Sequence, residues 1–229
     1  PMQKPQYPLV AIVFYSKQQY IEYNRRALDN NASGTAGVYI PRTNRIYLYD
    51  DTKGQGASSS NWQENLATIM HEAAHQTAFN CGIHQRAGET PYWIAEGLGC
   101  MFEAKGIYDA FKHRSKQDRL NYGRLYYYQQ KVQPDAASLI GSVVASDKLF
   151  RRDPGRAYAM AWAMTYYLSE RESRKYIAYL KTVAARKPLT AYPATTRIRE
   201  FNAAFGRDYD MLAVRVTRFL EDQPKHGRQ

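Results

Sequence analysis

Cysteine is nearly absent from this sequence: Cys81 and Cys100 are the only two among 229 residues. Neither has the CxxC spacing of a redox or structural zinc site, so the pair is expected to form one disulfide in an oxidising compartment or to remain two buried thiols. Long apolar runs are missing too. The longest, Leu9 to Tyr15, is strand-sized and far short of the roughly 18 residues a membrane-spanning helix needs. No charged n-region or apolar signal core opens the chain, so a targeting segment is expected to be absent or already removed. No internal repeat and no low-complexity tract is found.

Long blocks of one charge sign are also lacking, although 32 basic against 21 acidic residues give a net charge of +11. Short clusters at Arg151-Arg152, Arg171 to Lys175, Arg186-Lys187 and Lys225 to Arg228 read as a solvated cationic surface. Such a surface favours acidic partners, among them anionic cell-envelope polymers, membrane surfaces or nucleic acid. Without a basic arm, nucleic acid is the least favoured of the three.

What is present points to an α+β fold in one domain spanning 1–229: a sheet and metal-helix lobe over about 7–105 and a helical lobe over about 106–222. Leu9 to Phe14 is apolar and β-branched, and Gly37 to Ile40 and Arg45 to Tyr49 flank the turn-forming Pro41-Arg42-Thr43-Asn44, which predicts a hairpin. Between them Tyr20, Ile21, Tyr23 and Leu28 in a polar background predict a helix over Lys17 to Asn30. Gly54 to Ser60 is small and polar, a loop whose serine end offers an N-cap. A helix over Asn61 to Asn80 follows, left at Gly82, and a shorter one over Tyr92 to Lys105 is introduced by Pro91. No strand is expected after Asp109. Helical spacing marks Tyr122 to Gln130, Gly155 to Glu170, Glu172 to Arg186, Thr195 to Phe205 and Asp208 to Leu220.

His71-Glu72-Ala73-Ala74-His75 carries the chemistry. Imidazoles four residues apart share one face of a helix and can reach one metal ion, while the adjacent Glu72 stands where a general base would take a proton from metal-activated water. A chance match of this pattern in a chain of this composition is expected at about 0.5%. Catalytic zinc usually takes three protein ligands. Glu96, in Trp93-Ile94-Ala95-Glu96-Gly97, opens the next predicted helix after a segment with the Gly and Pro needed to reverse direction, and it is the candidate third ligand.

HEAAH followed by WIAEG resembles the gluzincin zinc peptidases, and most of all their bacterial peptidase-MA-like members. The likeness covers about residues 8 to 220, with HEAAH and WIAEG its specific parts. It implies a zincin-like fold, a zinc ion (Zn2+) held by His71, His75 and Glu96, Glu72 as general base, and hydrolysis of a protein or peptide. It also implies that Tyr158 steadies the oxyanion and that Arg45 to Tyr49 is the edge strand along which an extended substrate lies. A Gly-x-Met-Glu-Asn element of the aminopeptidase kind is missing before HEAAH, so an endopeptidase is expected.

A disulfide between Cys81 and Cys100 would tie the two ligand helices and imply an extracytoplasmic or secreted protein. His84 and His113 are expected at the surface or in loops, and Glu103 solvated or beside the ligands. Two other readings remain open: a basic nucleic-acid-associated protein, and a catalytically silent gluzincin-fold protein that binds a partner.

Overall fold

A computed structural model describes residues 3–50 and 59–224, the side chains of residues 59–64 excepted. The polar loop expected over Gly54 to Ser60 falls, as far as residue 58, outside the described residues. The chain forms two compact units, Pro1–Gly82 and Ile83–Gln229. Among the described residues no helix is long and apolar enough to cross a membrane.

The first unit runs β1 (Val10–Phe14), α1 (Lys17–Leu28), β2 (Gly37–Ile40), β3 (Arg45–Tyr49) and α2 (Ser59–Asn80). Ser16 caps α1 by accepting from the Gln19 N–H, and Asp29, in the left-handed region at φ 50°, ends it. The three strands lie in the order β1-β3-β2, with β1 parallel and β2 antiparallel to β3. The predicted hairpin is therefore present, and the sheet is mixed.

Arg45 to Tyr49 is not an edge strand. It is the central strand, paired with β1 on one side and β2 on the other, and its alternate side chains are claimed by different helices. Tyr47 and Tyr49 join Tyr20 and Leu28 of α1 in one apolar cluster, while Ile46 and Leu48 pack with Tyr39 and with Ile69, Ala73 and Phe79 of α2 in another. A strand covered on both faces and paired on both sides reads as a continuous apolar run, which Ile46-Tyr47-Leu48-Tyr49 is. The described edges are β1 and β2. Gly82, at φ 80°, takes the chain out of α2 through the backbone region that L side chains disfavour.

The second unit is helical, with α3 (Tyr92–Phe102), α4 (Lys105–Tyr108), α5 (Tyr122–Tyr127), α6 (Ala136–Ala145), α7 (Lys148–Arg152), α8 (Pro154–Arg171), α9 (Ser173–Ala184), α10 (Ala194–Phe205) and α11 (Tyr209–Glu221). Helix α8 forms its centre. Every residue of α8 from Ala159 to Leu168 is buried, as expected of a helix surrounded on all sides rather than amphipathic. Trp162 is wholly enclosed there, a core residue as its place in the apolar sequence suggests. The short α4 and α7 and the apolar α6 are elements that helical spacing alone does not mark.

Aromatic burial gives the fold a pH limit. Burial pushes the phenols of Tyr20, Tyr166 and Tyr176 up to about 12, and Tyr179 and Tyr192 higher still. Each folded-state pKa lies above its unfolded value of about 10, so the folded chain holds protons that the unfolded chain releases. Stability from this source is complete below about pH 10 and falls as pH rises through 12. Urea midpoints followed by circular dichroism from pH 8 to 12 should drop steeply beyond about pH 10; a midpoint flat to pH 12 would contradict the assignment.

Candidate metal centre

Helix α2 carries the HEAAH motif on a buried stretch. His71 and His75 are each 8% exposed and Glu72 9%. The two imidazoles, one turn apart, stand nearly perpendicular at 81° with their Nε2 atoms 3.0 Å apart. Two nitrogens bound to one tetrahedral zinc at about 2.0–2.1 Å would lie about 3.4 Å from each other, so the pair needs a shift of only a few tenths of an ångström to share an ion. The donor geometry fits.

Strand β2 holds Glu72 in place. The Tyr39 backbone N–H donates to Glu72 Oε2 at 2.6 Å, a charge-assisted bond from the sheet edge to the helix. Gly37, two residues earlier, makes this approach feasible. A Cβ there would lie 2.9 Å from Thr68 Cγ2 and 3.4 Å from Glu72 Cγ.

One turn further along α2, the Gln76 amide donates to the carbonyls of Val10 (3.1 Å) and Asn44 (2.9 Å). Asn80 and Asn44 exchange side-chain hydrogen bonds at 2.7 and 3.0 Å, and the Tyr39 hydroxyl donates to Asn44 Oδ1. The hairpin turn, where Asn44 sits at φ 56°, is thereby pinned to the motif helix. Asn80 and Gln76 thus steady the helix that presents the imidazoles, a role nothing in their spacing announces.

Glu96 lies on α3 in the second unit. It is half-buried on a helix whose neighbouring Trp93, Ile94, Ala95 and Gly97 are buried. A carboxylate in such a setting is costly unless partnered. The other carboxylate of this segment, Glu103 at the C-cap, is committed elsewhere: Arg124 pairs with it at 3.3 Å and the Asn121 amide donates to it. Glu103 is therefore a partnered, mostly buried group rather than a solvated one.

Tyr158, at the start of α8, is half-buried. Its ring meets Phe150 edge-on at 5.4 Å and carries the Arg124 guanidinium 5.0 Å from its centroid. His84 is in a loop but buried at 3%, so it is not at the surface. His113 is partly exposed, 3.8 Å from Asp118. Cys81 and Cys100 are both buried, and neither is in a disulfide. The argument from an oxidising compartment falls with that bond.

Residues 65–190, more than half of the chain, match the family described as "Protein of unknown function (DUF1570)". The chain belongs to the DUF1570 family. The DUF1570 match includes His71, Glu72, His75, Glu96 and Tyr158, whereas Tyr39 and the rest of the sheet lie ahead of it. No curated protein and no solved structure matches the chain.

Proposed function

We propose that this DUF1570 protein is a zinc-dependent endopeptidase, with His71, His75 and Glu96 as metal ligands, Glu72 as general base and Tyr158 as oxyanion donor. The single observation that carries the reading is the pair of buried imidazole nitrogens 3.0 Å apart with a buried carboxylate on the same turn. Two imidazoles and a carboxylate make a donor set able to hold a metal ion and leave one tetrahedral position for water. Glu96, carried by the WIAEG segment, is the proposed third donor, and Glu103 pairs with Arg124.

Zinc so bound would polarise a water and the scissile carbonyl, lowering the water's pKa towards neutrality. Glu72 takes the proton as the water attacks and returns it to the departing amine, a base followed by an acid on one side chain. The Tyr39 N–H fixes the direction from which that carboxylate acts. The Tyr158 hydroxyl donates to the oxygen on which negative charge develops, and its ring is held for this by Phe150 and Arg124. The gluzincin likeness rests on the same residues. A location outside the cytoplasm and anionic envelope polymers as partners belong to this proposal; the net charge of +11 favours the polymers.

The test is cleavage of an unstructured protein: internal bonds should be cut, the activity should vanish with a chelator and return with zinc. Tyr158→Phe should then lower kcat by a factor of roughly 10²–10³ while zinc content is unchanged. Unaltered kcat in that variant would reduce Tyr158 to a packing residue, and failure to cut any peptide would remove the endopeptidase reading.

A further inference from the structure

The first turn of α3 has an unusual termination. Its N-cap is Pro91, which offers no side-chain acceptor to the free N–H groups at the helix start. The acceptor comes from a distant part of the second unit: Asp147, just before α7, takes the Tyr92 N–H on Oδ1 at 3.0 Å. A carboxylate at this place also complements the positive end of the helix dipole.

That carboxylate is itself clamped. Arg197 of α10 grips it with both terminal nitrogens, at 2.8 and 3.1 Å, and donates from Nε to the Tyr192 carbonyl at 3.0 Å. Arg197 is 8% exposed at the side chain, so this is a buried bidentate pair with a fixed direction. Glu89, ahead of α3, accepts from the Tyr192 N–H at 2.9 Å and lies 3.7 Å from Arg197. Three separate stretches of chain, 89–92, 147 and 192–197, thus meet at the start of the helix that presents Glu96 one turn later. Burial, and then the charges of Asp147 and Glu96, hold the Tyr92 phenol above its usual range.

We propose that Asp147, clamped by Arg197, is a positioning residue for Glu96: it caps α3 from outside and fixes the turn on which the third metal ligand sits. The inference rests on the ligand assignment of the preceding section. Groups that orient metal ligands change affinity by about 10- to 100-fold when removed, which sets the expected scale.

The test is zinc affinity, measured by competition with a chelating dye on the full chain. Asp147→Ala should weaken binding by about tenfold or more, and Asp147→Asn, whose amide oxygen still accepts from the Tyr92 N–H, should recover most of the loss. In a Glu96→Ala background Asp147→Ala should add nothing, because the donor it positions is gone. The same factor appearing in that background, or wild-type affinity in Asp147→Ala, would overturn the proposal. Wild-type affinity in Glu96→Ala itself would instead remove Glu96 from the ligand set, a separate failure. Should Asp147→Ala not fold, Arg197→Lys carries the comparison, since lysine cannot reproduce the two-pronged grip.

Discussion

Glu72→Gln should abolish most peptide cleavage while leaving the bound zinc in place, with kcat lower by a factor on the order of 10²–10⁴. The glutamine amide is close in shape to the carboxylate, and its oxygen can still accept the Tyr39 N–H that now reaches Glu72 Oε2 at 2.6 Å. Position is preserved and basicity is lost. His71 and His75 are untouched, so zinc stoichiometry should equal that of the wild type. Turnover and metal content measured on one preparation decide the matter. Full activity in the variant would mean that another group takes the proton, and loss of metal would mean that Glu72 supports the imidazoles rather than the water.

The largest expected loss of stability from a single methyl group lies one residue beyond Glu96. A Cβ on Gly97 would fall 2.2 Å from Thr165 Oγ1, 2.6 Å from the Ala161 carbonyl oxygen and 3.0 Å from its carbon. Thr165 could rotate, but the Ala161 backbone belongs to α8, which is packed on all sides and cannot retreat. Gly97→Ala must therefore push α3 away from α8, at a cost of about 1–3 kcal/mol. For a chain of this size that corresponds to a melting temperature lower by roughly 2–12 °C. Gly34→Ala is the matched control, because a Cβ there meets nothing within 4 Å. Thermal unfolding of both variants checks the claim; an unchanged Gly97→Ala would show that the helices separate at little cost.

The sequence made some of this legible because the physics involved is local. HEAAH announces itself through spacing on one helix, and the hairpin through its Pro41 to Asn44 turn. Gly82 likewise sits where a helix must end. Tertiary contacts were not readable in the same way. The resemblance made Arg45 to Tyr49 an edge strand beside the HEAAH helix, whereas the burial of Ile46, Tyr47, Leu48 and Tyr49 shows a strand sandwiched between α1 and α2.

Helix α6, Ala-Ala-Ser-Leu-Ile-Gly-Ser-Val-Val-Ala, is apolar on most sides and carries a glycine and two valines, so periodicity had little to mark. The hydrogen-bond partners that steady the candidate site were less readable still. The Tyr39 N–H is a backbone group that exists at every residue, and Asp147 lies 55 residues from the helix it caps. Asn80 and Glu89 gain their roles only once Asn44, Tyr192 and Arg197 have been brought beside them.

Metal analysis of the purified protein tests the central claim most directly. Two imidazoles and a carboxylate should retain about one zinc per chain after dialysis, and His75→Ala should lose most of it. A wild-type chain that holds no zinc, or a His75→Ala variant that holds as much as the wild type, would contradict the account.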